Sequence, residues 1–167
     1  MRKRIILYIA ISLDGFIARK GGSVDWLSPY ENGPEGYGYN EFYKKIRTVI
    51  MGNTTYKQIL SFGGFPYKSK DKLKDENVTF VSNSAKDFIS QLNLREDENV
   101  WLVGGASIVD EFLKCDLIDE FIITTIPILL GEGIPLFKGK LNEKRLKLID
   151  VKSFNSGLVQ LHYTRKE

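Results

Sequence analysis

Residues 100–114 read VWLVGGASIVDEFLK, and the parsing of this stretch decides the fold. Val100 to Val103 form a short apolar run suited to a buried strand. Gly104 and Gly105 interrupt it. From Ala106 to Lys114 the apolar residues Ile108, Val109, Phe112 and Leu113 fall at helical spacing, so a helix follows. A strand that passes through two glycines into a helix has a physical use. Without Cβ atoms the turn lets an anion approach the backbone, and the helix start offers unpaired N–H groups and the positive end of its dipole. The stretch is either a phosphate seat or a plain turn, because glycines also serve strand–helix connections simply to turn the chain.

The surrounding composition narrows the classes. A chain of 167 residues, 43% apolar and 27% charged, suits one globular domain spanning 1–167 with a full core. The net charge of +3 is mild and the basic residues are scattered, so no nucleic-acid track is expected. No apolar run reaches membrane-spanning length, and IILYIAI, ending at Asp14-Gly15, reads as a first strand rather than a signal segment. With one cysteine, Cys115, and one histidine, His162, neither an internal disulfide nor a histidine/thiolate metal site is expected. Cys115, between Leu113 and Leu117, reads as a small buried hydrophobe. A cytoplasmic enzyme fits these facts.

Taken in order, Ile5–Ile11 is a nearly continuous apolar run, typical of a central strand covered on both faces. The segment 23–39, with Trp26, Pro29, Pro34 and several glycines, is irregular and therefore a functional candidate. Residues 40–47 read as a helix, Thr48–Met51 as a strand, and Asn53 or Thr54 caps a helix through Leu60. Phe62–Asp75 is a glycine- and lysine-rich loop, Val78–Val81 a third strand, and Ser84 with Asp87 a capping box for Ala85–Leu92. After the opening stretch come a β-branched strand, Glu120–Ile126, and a hairpin of Leu146–Val151 with Val159–Thr164. Strands alternating with helices predict a three-layer α/β/α sandwich, its central sheet mostly parallel with an antiparallel C-terminal hairpin. Sites in such sheets lie at the carboxyl ends of the strands, so the loops after Ile11, Met51, Val81 and Val103 should share one cleft.

Five of these segments carry a resemblance. IAISLDGFIA (9–18), VIMGNTTY (49–56), VTFVSNS (78–84), VWLVGGASIVDEFL (100–113) and DEFIITTIPILLGEGIPLF (119–137) resemble successive motifs of the dihydrofolate-reductase-like superfamily. The nearer branch is the C-terminal reductase domain of the bifunctional riboflavin-biosynthesis deaminase–reductase. The resemblance implies NADPH-dependent reduction of a pteridine- or pyrimidine-like ring, and a homodimer to which strand 120–126 could contribute. By position it implies that the backbones of Ala10 and Ile17 hold the nicotinamide carboxamide. It gives Gly52, Asn53, Thr54 and Thr55 the cofactor phosphates, Ser82 a place beside the adenosine, and Gly104, Gly105, Ala106, Ser107 and Ile108 the diphosphate.

The departures bear on specificity. Where both branches usually place a basic residue against the 2′-phosphate, this chain has Asn53, so NADH is not excluded; Lys57 is the substitute. The riboflavin branch has a lysine and a glutamate where this chain has Ile9 and Val103, which argues against the riboflavin intermediate itself. Trp26, Pro29 and Glu31 echo the Trp-x-x-Pro-x-acid pattern of dihydrofolate reductase, with an insertion following Glu31.

Hydride transfer needs a held donor and a proton source. Glu31 and Glu41 compete for the acid's role, each otherwise a surface carboxylate. Asp14 beside the nicotinamide is a third candidate, or else a turn residue bonding its own loop. Tyr37, Tyr39, Phe42 and Tyr43 offer an aromatic wall for a flat substrate, or ordinary packing, with Phe42 read as packing, while the resemblance implies a gating role at the substrate for Trp26. Thr124 is a substrate donor or a β-former. Gly131-Glu132-Gly133 lacks the Gly-Lys-Ser/Thr of a phosphate loop. His162 is remote in sequence from all motif loops. Two further readings stay open: a nucleotide-binding or regulatory module that kept the fold without catalysis, and a structural dimer without ligand.

Overall fold

The computed structural model describes residues 4–31, 36–62, 78–92 and 98–166. Its centre is a six-stranded sheet in the order β3-β4-β1-β5-β8-β7. Here β1 is Ile5–Ser12, β3 Ile46–Met51, β4 Asn99–Gly104, β5 Glu120–Ile126, β7 Leu146–Ser153 and β8 Val159–Arg165. Strands β3, β4, β1 and β5 are parallel, while β8 and β7 run antiparallel, so the expected mixed sheet is present. The run IILYIAIS occupies the middle of the sheet because only a strand with both faces covered can bury apolar side chains in both directions. A small ribbon of β2 (Phe16–Ala18) with β6 (Ile134–Pro135) stands beside it.

Helices cover both faces. On one, α3 (Ala85–Gln91) and α4 (Ala106–Lys114) send Ala85, Val109, Phe112 and Leu113 against Leu7, Leu102, Phe121 and Ile123. On the other, α1 (Tyr39–Lys44) and α2 (Asn53–Ser61) pack Phe42, Tyr43 and Ile59 against Ile6, Ile46 and Trp101. The Ser84 hydroxyl accepts from the Asp87 N–H at 3.2 Å and donates to the Asp87 carboxylate at 2.7 Å, the capping box expected for α3.

Four expectations need correction. Val78–Val81 is not a strand: Phe80 and Val81 are 71% and 50% exposed, and β3 is the sheet's edge. The segment borders a cavity beside β3 instead of pairing with it. The strand expected from Thr48 begins at Ile46, which is 3% exposed under α1 and α2. Gly52, not Asn53 or Thr54, is the N-cap of α2, in extended geometry and without a side-chain cap. Cys115 is exposed, because it follows the last turn of α4 rather than lying on its buried stripe. The loop expected at Phe62–Asp75 falls, after Phe62, outside the described residues.

Candidate cofactor and substrate cleft

Two turns meet at the carboxyl ends of β3 and β4. The Gly52 N–H donates to the Gly104 carbonyl at 2.8 Å, and the Gly104–Gly105 peptide is cis. Gly104 has φ +120°, a conformation that L side chains rarely adopt. A Cβ on Gly105 would lie 3.4 Å from the Thr55 hydroxyl and 3.8 Å from Ile17; one on Gly52 would lie 3.9 Å from Ile108. Segments far apart in sequence thus form one corner. Both α2 and α4, each of nine residues, begin there, and neither has a side-chain cap. The N–H groups of Asn53, Thr54 and Thr55 and of Ala106, Ser107 and Ile108 therefore have no acceptor within their own helix, and two dipole ends reinforce one another.

Beside this corner is a cavity of about 280 Å³ walled by Gly52, Asn53, Tyr56, Phe80, Asn83 and Glu111. Tyr56 and Phe80 meet edge to face at 5.4 Å. Ser82 is exposed, and its neighbours Val81 and Asn83, rather than Ser82, form the wall. The strand that should have aimed Ser82 is absent.

The turn leaving β1 is a hydrogen-bonded clasp. Ser12, fully buried, accepts from the Phe16 N–H and donates to the Asp14 carboxylate. Both Asp14 oxygens also accept backbone N–H groups, from Leu130 at 3.1 Å and Gly131 at 2.7 Å. The Ser12 hydroxyl, followed by those amides, holds the Asp14 carboxyl below its ordinary value, so it stays ionised. Asp14 thus bonds both its own turn, through Ser12, and the loop at Leu130 and Gly131. Gly133 in that loop has its own reason, since a Cβ there would sit 2.4 Å from the Ala18 carbonyl oxygen.

On the α1 side of the sheet a polar network spans β1, β5 and β8. The Gln160 amide, in a residue 7% exposed, donates to the Thr124 hydroxyl at 3.0 Å, the Tyr37 carbonyl at 3.3 Å and the Tyr8 phenol at 3.4 Å. Tyr8 in turn donates to the Tyr37 carbonyl at 3.2 Å and stacks on Phe42 at 4.2 Å. Burial pushes the Tyr8 phenol up, with Gln160 pulling it partly back and Glu41 adding to the rise. Tyr37 holds its carbonyl there from a left-handed conformation, φ +45°. A cavity of about 460 Å³ opens over this network, walled by Tyr8, Gly38, Glu41, Gln160, Lys152 and His162.

Trp26 is 4% exposed, packed with Ile126 and Leu158 next to Ala10 and Tyr37. Its indole N–H has no hydrogen-bond partner. A buried donor left unpaired costs about 1–3 kcal/mol, and such groups commonly mark a place completed by a ligand or water.

The chain therefore brings together Gly52–Thr55, Gly104–Ile108 and Ile17 in one corner, and Ala10, Trp26 and Tyr37 in another cluster joined to Thr124 through Gln160. Tyr43 does not join them. It is 8% exposed, stacked on Tyr39 at 5.7 Å and set against Trp101, as core. Glu31 is exposed at the end of the 3₁₀ helix Asp25–Tyr30, and Glu41 is exposed at the rim of the larger cavity. Tyr8 and Gln160 were missed. Tyr8 carried a signal, as it lies two residues from Ala10 and so on the same strand face. Gln160 carried none, because a polar residue in an alternating strand reads as solvent-facing. His162 hydrogen-bonds Glu120 at 2.9 Å, and Glu120 also pairs with Arg4 at 2.7 Å, all three on the wall of the larger cavity. Among the described residues no group of His, Cys, Asp and Glu is placed to hold a metal, and no helix is long and apolar enough to cross a membrane.

This architecture, a parallel sheet with an antiparallel hairpin and a glycine corner between two helix starts, is that of dihydrofolate-reductase-like proteins. The chain belongs to the RibD C-terminal domain family, which matches residues 65–160. It is 45% identical to the uncharacterized protein YwjB of Bacillus subtilis (strain 168), over 99% of both chains. A candidate riboflavin biosynthesis protein of Shewanella sp. PV-4 superposes with a TM-score of 0.84 at 31% identity, covering 98% of this chain and 99% of that one. Dihydrofolate reductase of Schistosoma mansoni shares the fold at a TM-score of 0.63 and 19% identity, over 99% and 100% of the two chains.

Proposed function

We propose that the protein is a cytoplasmic NADPH-dependent reductase, with NADH also admitted, acting on a C=N or C=O bond of a flat pteridine- or pyrimidine-like heterocycle, and that residues 1–167 work as one reductase domain. The observation that carries this reading is the pair of uncapped helix starts meeting at Gly52, Gly104 and Gly105. That corner fits a dinucleotide diphosphate: bare backbone, unpaired N–H groups and two positive dipole ends. Gly52–Thr55 and Gly104–Ile108 would hold the phosphates, Ala10 and Ile17 the carboxamide, and the cavity by Tyr56 and Asn83 the adenosine, with Ser82 at its margin. The bound cofactor supplies a hydride. The chain's own part is to orient the ring and to handle a proton. Thr124, Gln160 and Tyr8 present hydroxyl and amide groups, and the unpaired Trp26 N–H is a further donor. With Asp14 committed to Leu130 and Gly131, the acid is Glu31 or Glu41, and Glu41 alone borders the larger cavity. The commitment of Asp14 also favours the second reading, a nucleotide-binding module without turnover.

Titration with NADPH and with NADH, followed by nicotinamide fluorescence, tests this. Binding, then oxidation on adding dihydrofolate or another heterocycle from a panel, is the expected result; binding without turnover across the panel selects the module, and silence with both cofactors overturns both readings. Gly52→Ala locates the seat: its backbone, φ −71° and ψ 153°, accepts alanine, and the new methyl meets only ordinary contacts. It should weaken cofactor binding at least about tenfold while leaving the melting temperature unchanged. Undiminished affinity would place the diphosphate elsewhere.

A further inference from the structure

The wall of the larger cavity carries a definite order of hydrogen-bonding groups. Gln160 and His162 lie two residues apart on β8, so both face the same side of the sheet. The Tyr37 carbonyl can only accept, which fixes the Gln160 amide nitrogen on its side. The Gln160 carbonyl oxygen is thereby turned the other way, and no donor among the described residues bonds it. It lies 4.0 Å from where a Cβ on Gly38 would be, as does the Lys152 ammonium, so the missing side chain leaves an opening beside both. His162 repeats the pattern. Its Nε2 faces Glu120, which also pairs with Arg4, and a carboxylate only accepts, so Nε2 carries the proton. In the neutral ring Nδ1 is then an acceptor, with no partner among the described residues.

We propose, resting on the reductase reading of the cleft, that this cavity takes a substituent of the substrate ring. The substituent is an uncharged, hydroxyl-bearing chain rather than a phosphate or carboxylate. Register sets the ring seat and the cavity end to end. Ala10, Thr124 and Gln160 form one row across β1, β5 and β8, and Tyr8, Ile122 and His162 form the next. A ring at the first row sends its substituent over the second. The Tyr8–Phe42 stack and Ile122 give the carbon chain an apolar floor. Around it the charges balance: Arg4, Lys45 and Lys152 stand against Glu41, Glu120 and Asp150 among the described lining residues. An anion finds no surplus of cations there, and Arg4 and Lys152 already have carboxylates at 2.7 and 4.0 Å. An ionised phosphate or carboxylate also only accepts, so it would set its oxygens against the Gln160 and His162 acceptors. A hydroxyl donates to either of them and accepts from Lys152.

Fluorescence titration with three pterins, in the presence of NADP+ so that nothing turns over, tests the proposal. The three are the unsubstituted ring, the ring with a trihydroxypropyl chain, and the terminal phosphate ester of that chain. The hydroxylated chain should tighten binding at least about tenfold over the bare ring, and the ester should lose that gain. His162→Phe should abolish the gain while the bare ring binds as before. His162→Gln, which keeps a donor for Glu120 and an acceptor for the cavity, should restore it. Asp150→Lys, at an exposed position, gives the wall a surplus of cations and should strengthen binding of the ester; it repeats the test if His162→Phe misfolds. An ester that binds the wild type as tightly as the hydroxylated chain overturns the proposal, as does a gain that survives His162→Phe. A bare ring that binds with no gain from the chain defeats this proposal alone. A bare ring that does not bind, with NADP+ bound, defeats the heterocycle reading of the cleft and this proposal with it.

Discussion

Glycines 104 and 133 show two different reasons for the same residue. Gly104 is there for its backbone, with φ +120°, so the substitution that best probes the corner is at Gly52, where alanine fits the backbone. Gly133 is there for space alone. Its missing Cβ leaves room for the Ala18 carbonyl, which would otherwise be 2.4 Å away, and so permits the β2–β6 ribbon. Gly133→Ala should cost about 1–3 kcal/mol as overpacking against backbone that cannot yield. Chemical denaturation reads this directly; a loss below a few tenths of a kcal/mol would mean that the ribbon shifts to make room.

At the scale of elements, α4 joins core to cleft. Its N-terminus forms half of the glycine corner, while Phe112, 1% exposed, anchors it between α3 and the sheet. Phe112→Ala should destabilise the protein by about 3–5 kcal/mol, the transfer and cavity cost of a buried aromatic. The midpoint of urea unfolding should fall accordingly, with an unchanged slope. A small shift would show that α4 owes its place to its turns and not to this side chain. The helix was legible from sequence because its apolar residues recur at helical spacing over nine residues. The segment Val78–Val81 has strand-like composition too, yet no neighbour pairs with it, and composition cannot report an absent partner.

For the molecule as a whole, alkaline pH is the simplest probe of the aromatic layer under α1. Burial, helped by neighbouring Tyr43 and Tyr8, pushes the Tyr39 phenol from 10.0 up to about 12, and burial also raises Tyr43. A phenol whose folded value is raised contributes stability that is complete below pH 10 and lost as pH climbs through the folded value. Stability should therefore fall between about pH 10 and 12, with part of the phenolate absorbance of the eight tyrosines appearing only as the fold is lost. All eight ionising near pH 10 in a native-looking protein would contradict the packing of this layer.

The sequence alone determined the α/β class, the mixed sheet and the closing hairpin, because these follow from local periodicity and turn chemistry. It also located the glycine turn between β4 and α4, which the structure sets against Gly52. Only the tertiary structure decided that Asp14 clasps the loop at Leu130, that Tyr43 is core, and that Gln160 joins Thr124, Tyr8 and Tyr37. Each depends on contacts between residues separated by tens to more than a hundred positions, and side-chain direction across such distances is set by sheet register and helix packing, which no local pattern encodes.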